Sequence, residues 1–185
     1  MSIRPRGVTL VELIVFIVIV GVAMAALFAA FDTIIRASAD PQVRKQVLAI
    51  AESLMEEIQL MPFTFCDPDD PAASTATSTA GCATVEGIGT EGGETRYGSP
   101  QFDNVSDYHG FAMLSGIRDI ANNPVSGLDA YKVTDIVITE AGLGSGGNVI
   151  PGADALRISI TVTGPGSVST TLEGYRTRYA PNTLP

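Results

Sequence analysis

The first third of the chain begins with a long apolar segment. Residues 8–31 form a run of 24 positions in which Glu12 is the only charged residue. A helix of this length rises about 36 Å, enough to cross a hydrocarbon core of roughly 30 Å with some tilt. Arg4 and Arg6 precede the run. By the positive-inside rule, the pattern predicts a membrane-spanning helix with a cytoplasmic N-terminus and an exported C-terminal domain.

An amphipathic pattern follows the apolar segment. Apolar residues recur at helical spacing, at Val43, Val47, Ile50, Leu54 and Ile58. Residues 32–61 are therefore predicted to continue the helix and to bury one face against a domain of the same chain. Pro41 predicts a kink or local melting between the two halves, because proline removes a helical hydrogen bond. Pro62 predicts the end of a helix about 80 Å long.

The C-terminal domain, residues 62–185, is predicted to contain a small antiparallel sheet. Residues 131–139, 156–162 and 168–175 have the β-branched composition and alternation of strands. Residues 62–100 are rich in Pro, Gly, Ser and Thr, which predicts turns instead of core. An antiparallel sheet with one apolar face needs a cover, and the amphipathic helix supplies it. The sequence thus predicts an α+β fold with a long helix packed on the sheet.

Charge and cysteine content narrow the classes of function. The 185 residues carry a formal net charge of −9, and an acidic surface repels phosphate backbones, so nucleic-acid binding is not expected. The two cysteines, Cys66 and Cys82, have no zinc-ligand spacing around them. In an exported chain they favour a disulfide, which stabilises the fold by roughly 3 kcal/mol. In a cytoplasmic chain they are a pair of free thiols.

The residues around the start of the apolar run resemble a known processing signal. The string Gly7-Val-Thr-Leu-Val-Glu12, after a basic leader and before an unbroken apolar helix, resembles the prepilin signal of the type IV pilin and pseudopilin family. The resemblance implies a pilin fold, a leader of residues 1–7, cleavage between Gly7 and Val8 by prepilin peptidase, and N-methylation of Val8. The family usually has Phe or Met where this chain has Val8.

Glu12 has a physical role in this interpretation. A carboxylate in an apolar span is costly, and removal of the leader creates a second costly charge, the new terminal ammonium. Glu12 of one subunit can neutralise the ammonium of a neighbour and so set the axial register. The partners implied are other pilin subunits, prepilin peptidase and the inner-membrane assembly platform. The implied location is the inner membrane before assembly and an extracellular pilus afterwards.

Other interpretations of the N-terminal segment are open to the sequence. A secretory signal cut near residues 29–30, a simple signal anchor and a buried helix of a soluble protein each contain an apolar run. The position of Glu12 favours the prepilin.

A closer resemblance rests on two short strings. Residues 65–71, Phe-Cys-Asp-Pro-Asp-Asp-Pro, and residues 103–111, which end in Asp-Tyr-His-Gly-Phe, resemble the D-type minor pilins of mannose-sensitive haemagglutinin pili. The resemblance implies a low-abundance subunit that acts in assembly or lies near the filament tip, in a pilus used for surface attachment. A major subunit and a type II secretion pseudopilin are the alternatives.

Other chemistry is weakly supported by the sequence. Residues 87–92 and 142–147 match Gly-x-Gly-x-x-Gly. The first string lacks the strand and the helix of a dinucleotide site, and the second follows a predicted strand but cannot open a helix, so both are predicted to be flexible loops. His109 is the one histidine and no nucleophile elbow is present, so an enzyme and a cofactor are not expected. Asp67, Asp69 and Asp70 offer oxygen ligands for calcium, although no EF-hand spacing surrounds them. A solvated acidic turn is the alternative.

Two further functional classes are compatible with an exported domain. The first is an adhesin, whose binding loops would lie between Cys66 and Phe111. The second is a membrane-tethered periplasmic enzyme, which predicts an uncut leader and a pocket with convergent polar groups.

Overall fold

The structure is a computed structural model that describes Gly7 and residues 9–184, and describes only the backbone of residues 33–40. Contacts between residues divide the chain into two compact units, Met1–Gln42 and Val43–Pro185. The described residues form one α-helix and five strands: α1 Leu10–Leu60, β1 Lys132–Glu140, β2 Leu143–Ser145, β3 Asn148–Ile150, β4 Ala155–Thr163 and β5 Ser169–Thr177. Short 3-10 helices span Thr79–Gly81, Ser106–Tyr108, Gly152–Asp154 and Pro165–Ser167.

Helix α1 begins at Leu10, two residues after the predicted start, because Thr9 caps it. The Thr9 hydroxyl accepts a hydrogen bond from the Glu12 N–H at 3.3 Å, and the Thr9 carbonyl accepts one from the Leu13 N–H at 3.1 Å. Threonine is a favoured N-cap, since its side-chain oxygen satisfies a backbone N–H that the helix leaves free. Pro41 lies within α1, at the boundary of the two units, and the predicted kink there stays a prediction.

The second half of α1 buries the predicted apolar stripe. Its buried residues are Val47, Ile50, Ala51, Leu54, Met55 and Ile58, with Val43 partly buried against them. The helix ends at Leu60, where the Met61 N–H bonds to the Ile58 carbonyl at 3.1 Å and Pro62 follows. The amphipathic helix and its end before Pro62 are both confirmed.

A three-stranded antiparallel sheet, in the order β1-β4-β5, packs on this half of α1. Its buried face consists of Val133, Ile136, Ile138, Leu156, Ile158, Ile160 and Val162. Strand β5 approaches the helix closely at Gly174, where an added Cβ would lie 2.7 Å from Met55 Sδ. The predicted α+β architecture, a long helix with a small antiparallel sheet, is confirmed, and each strand lies within two residues of its predicted bounds.

One prediction about loops is wrong. Residues 142–147, predicted to be a flexible loop, contribute to a hairpin in which β2 and β3 pair from Leu143↔Ile150 to Ser145↔Asn148. Gly144 and Gly146 adopt positive φ there, which glycine tolerates without strain.

Residues 103–111 have irregular backbone apart from the turn Ser106–Tyr108, and they contribute to the core through Val105 and Tyr108. The rings of Phe102, Tyr108 and Phe111 pack edge to face there, with centroids 4.9–6.4 Å apart. Widely spaced aromatic residues build this part of the core without periodicity.

Candidate functional site

The start of α1 is the first candidate site. Gly7 precedes the helix, and Glu12 lies in its first turn with an exposed side chain. The neighbours of Glu12 on the helix are apolar and exposed, including Leu13 and Phe16. Val8 lies outside the described residues. Cleavage after Gly7, methylation of Val8 and the pairing role of Glu12 therefore stay predictions.

The surface around Glu12 is exposed among the residues that the structure describes. Leu10–Asp32 is long and apolar enough to cross a membrane, judged by length and composition, and every side chain in that range is exposed. Soluble proteins rarely expose a continuous apolar surface of this size. A helix keeps its backbone hydrogen bonds internal, so it is compatible with lipid. The helix is suited to a bilayer or to a bundle of similar helices.

Cys66 and Cys82 form the predicted disulfide, with Cα atoms 5.3 Å apart and a sequence separation of 16. Backbone bonds continue the connection: the Asp67 N–H bonds to the Thr84 carbonyl at 3.2 Å, and the Glu86 N–H bonds to the Phe65 carbonyl at 3.2 Å. The segment around Cys66 and the segment that follows Cys82 thus run antiparallel to each other. This arrangement holds the acidic residues of both segments in fixed positions.

Four carboxylates converge beside the disulfide. Asp67, Asp69, Glu94 and Asp103 each present an oxygen, and these oxygens all lie within 4.8 Å of one another. We refer to them as the four-carboxylate group. The structure thus brings together two of the three predicted calcium candidates. The third, Asp70, lies outside this group, and its carboxylate accepts the N–H groups of Ala72 at 2.8 Å and Thr84 at 2.6 Å.

Glu86, Glu91 and Asp107 form a second group with the same spacing, here called the three-carboxylate group. Asp107 Oδ2 accepts the N–H groups of Asp103 at 2.9 Å and Asn104 at 2.7 Å, which links the two groups. The Ser106 hydroxyl donates to Glu86 Oε1 at 2.6 Å. None of the seven carboxylates has a lysine or arginine at ion-pair distance among the residues that the structure describes.

Burial and mutual repulsion oppose ionisation in both groups. Burial, with repulsion between neighbouring carboxylates, raises the pKa of Glu94 to about 8 and that of Asp103 to about 7. Burial also raises the pKa of Glu86 to about 9 and that of Asp107 to about 6, although hydrogen bonds to both carboxylates act in the opposite direction. The fold therefore favours a positive charge or bound protons at this place.

Sequence reasoning missed five of the seven carboxylates, and a charge count would have pointed to their region. Residues 62–117 contain eight acidic residues and, apart from His109, one basic residue, Arg96. Arg96 is already engaged, because its guanidinium forms a two-fold contact with Glu57 at 2.7 Å. The imbalance is visible in the sequence, but the grouping depends on the fold.

A cavity of about 510 Å³ lies between α1 and residues 96–128, and its lining is mostly apolar. The charged residues Glu57 and Arg96 in its wall bond to each other, and Tyr108 donates a further hydrogen bond to Glu57 at 2.8 Å. His109 is exposed, and its Nδ1 accepts the Ile138 N–H at 3.1 Å. These contacts give all four polar side chains structural partners.

The chain matches one family model, the prokaryotic N-terminal methylation motif, over residues 4–28. The match covers the basic leader, Gly7, Glu12 and most of the apolar half of α1. It supports a type IV pilin-like or pseudopilin-like prepilin, a structural class, and it implies processing by prepilin peptidase and assembly with other pilins. No match was found among curated proteins or among solved structures.

Proposed function

We propose that this chain is a minor type IV pilin, which is cut between Gly7 and Val8 and assembled into an extracellular pilus for surface attachment. The exposed apolar half of α1 is the observation that carries the proposal, because every side chain of Leu10–Asp32 is exposed and the segment is apolar enough to cross a membrane. Lipid covers such a helix before assembly, and the helices of neighbouring subunits cover it afterwards. The methylation-motif match at residues 4–28 supports the same conclusion from the sequence.

Glu12 is proposed to register the subunit in the filament. Cleavage leaves the Val8 amine as a cation next to apolar surface, where an isolated charge is costly. A carboxylate from a neighbouring subunit neutralises that cation, and the pair costs less than two separate charges. Glu12 lies one turn into α1 with its side chain exposed, which leaves it available to another subunit.

The proposed organisation has four parts. Residues 1–7 are the leader, residues 8–31 cross the inner membrane and later enter the filament core, residues 32–61 join this helix to the globular domain, and residues 62–185 complete that domain. The N-terminus is cytoplasmic and the domain periplasmic before assembly. The disulfide fits an oxidising compartment of this kind.

The two strings that resemble D-type minor pilins of mannose-sensitive haemagglutinin pili support the finer assignment. One string includes Cys66 of the disulfide and Asp67, and the other includes Tyr108 and the exposed His109. We place the subunit at or near the filament tip, in an assembly role.

Mass spectrometry of the processed N-terminus tests the proposal. In cells with prepilin peptidase, we expect the chain to begin at Val8 with a methylated amine. Gly7→Val should block cleavage, because a bulky branched side chain replaces glycine before the cut. Gly21→Val is the matched control, since a Cβ at Gly21 meets nothing within 4 Å and lies far from the cut. An intact Met1 start in the wild type would instead indicate a signal-anchored domain.

A further inference from the structure

The seven carboxylates create an electrostatic problem that the described residues do not solve. They come from three separate stretches of the chain, residues 67–69, 86–94 and 103–107, which the backbone bonds around the disulfide and the Asp107 carboxylate hold together. Carboxylates are rarely buried without a partner, because removing an ionised group from water is costly. No cation of the described residues lies at ion-pair distance from them. Arg178 lies beside Glu86 in one small pocket and attracts it from beyond ion-pair distance. The described residues offer the other carboxylates no cation, so these groups need an added positive charge or bound protons.

Two buried oxygens indicate where that charge is needed. Glu94 is 6% exposed and Asp107 is 1% exposed. Glu94 Oε2 and Asp107 Oδ1 have no hydrogen-bond partner among the described residues, and Glu91 Oε2 is in the same state. Buried acceptors are nearly always satisfied in folded proteins. An unsatisfied acceptor in each group, next to further carboxylate oxygens, points to a ligand at this place.

We propose that the four-carboxylate group, Asp67, Asp69, Glu94 and Asp103, binds a calcium ion. Calcium holds its oxygen ligands at 2.3–2.6 Å, so two ligands on opposite sides of one ion lie about 4.6–5.2 Å apart. The four oxygens, all within 4.8 Å of one another, satisfy this limit. The three-carboxylate group adds negative charge beside the ion and strengthens its attraction.

The ligand chemistry selects calcium among the common metals. Zinc prefers cysteine and histidine, and here Cys66 is in the disulfide while His109 accepts a backbone hydrogen bond. Magnesium demands near-ideal octahedral geometry, keeps several waters and usually takes one or two carboxylates. Calcium accepts six to eight oxygens in flexible geometry, which suits four carboxylates with water completing the shell. Asp69, the exposed member, leaves one side of the group open to solvent.

Bound protons are the competing explanation, and calcium titration separates the two. The full-length processed chain, purified in detergent and stripped of metal with a chelator, is titrated with CaCl₂ alone and followed by calorimetry and thermal unfolding. We expect saturable binding with a dissociation constant of about 10⁻⁴–10⁻³ M or tighter. At one hundred times that constant, the unfolding midpoint should rise by about 5–10 °C. MgCl₂ at the same concentration should give less than half of this shift.

Variants locate the ion. Glu94→Gln and Asp69→Asn should each weaken calcium binding at least tenfold, because each removes one anionic ligand of four. Asp69 is exposed, so its variant keeps the fold even where Glu94→Gln perturbs packing. Glu52→Gln and Asp129→Asn are the matched controls, since both residues are exposed and lie outside the two groups. The controls should bind calcium like the wild type.

Three results would overturn the proposal. The first is an unchanged unfolding midpoint and no binding heat up to about 10 mM calcium, well above the range for extracellular modules. The second is equal stabilisation by magnesium. The third is unchanged affinity in both Asp69→Asn and Glu94→Gln. The proposal stands apart from the pilin assignment, because processing at Val8 tests that assignment alone.

Discussion

The two halves of α1 belong to one continuous helix, but their apolar side chains have different surroundings. In Leu10–Asp32 every side chain is exposed, whereas in Val43–Leu60 an apolar stripe is buried against the sheet. The first half is apolar on all sides, so no orientation hides it from water. The second half is amphipathic, so one face is buried and the charged face stays in solvent. The comparison shows that the apolar surface of the second half is buried within its own unit, whereas that of the first half is exposed among the described residues.

The same contrast holds for charge in the globular unit. Glu57 and Arg96 satisfy each other with two contacts of 2.7 Å, and Tyr108 completes the arrangement. The seven carboxylates nearby have no such internal cation among the described residues. Two features of the described residues thus require a partner. The apolar helix segment Leu10–Asp32 needs apolar neighbours, and the two carboxylate groups need a cation.

The largest expected effect comes from removing the charge in the first half of α1. Glu12→Ala leaves a neighbour's terminal ammonium unpaired in apolar surroundings, and breaking a buried ion pair costs about 3–5 kcal/mol. We expect incorporation into sheared pili to fall at least a hundredfold, measured by immunoblot against the membrane pool. Thermal unfolding of the globular domain should be unchanged.

Glu52→Ala is the matched control, because Glu52 is an exposed glutamate in the second half of the same helix. Its incorporation should equal that of the wild type. Normal filament incorporation of Glu12→Ala would show that registration does not use this carboxylate.

A pair of identical substitutions sharpens the comparison between the halves. Ile58 is fully buried and Ile17 is 59% exposed. Ile58→Ala removes core packing and should lower the free energy of unfolding of the domain by about 2–5 kcal/mol. Ile17→Ala should leave it within about 0.5 kcal/mol of the wild type. Denaturant unfolding of the full chain in detergent measures both values, and equal losses would contradict the division of the helix.

The elements that were predicted correctly are those encoded locally. The helix halves follow from apolar runs and from a spacing of three to four residues, and Pro62 marks the end of the helix. Strand β4 follows from alternation, with Leu156, Ile158 and Ile160 on the buried face. The disulfide followed from two cysteines in a chain predicted to be exported. Each of these signals lies within one segment or is a simple count.

The acidic cluster was only partly predictable, because its members are distant in sequence. Asp67 and Asp69 were visible as neighbours, but Glu94 and Asp103 join them only through the folding of a loop without periodicity. Adjacency was also misleading for Asp70, whose carboxylate caps backbone N–H groups instead. Tyr108 shows the same limit in the core, where a lone aromatic residue in a polar stretch is fully buried.

The last expected effect is a pH dependence of the metal-free domain that runs opposite to ordinary acid denaturation. Without divalent cations, burial raises the pKa of Glu86 to about 9, of Glu94 to about 8 and of Asp103 to about 7. The unfolded chain loses these protons near pH 4, so between pH 5 and pH 9 the folded state holds more protons. The contribution of these carboxyls to the free energy of unfolding is therefore fully present at low pH. It is lost as the pH rises through their pKa values in the folded state.

Thermal unfolding in the presence of a chelator at pH 5, 7 and 9 measures this slope, which is on the order of 1 kcal/mol for each pKa unit at one carboxyl. Glu94→Gln should flatten it, because the amide does not ionise, and Glu52→Gln should leave it unchanged. Saturating calcium should also flatten the slope, since the bound cation favours the ionised carboxylates. A midpoint that rises from pH 5 to pH 9 in the chelator would show that the carboxylates are paired within the fold, which would remove the electrostatic reason for a cation.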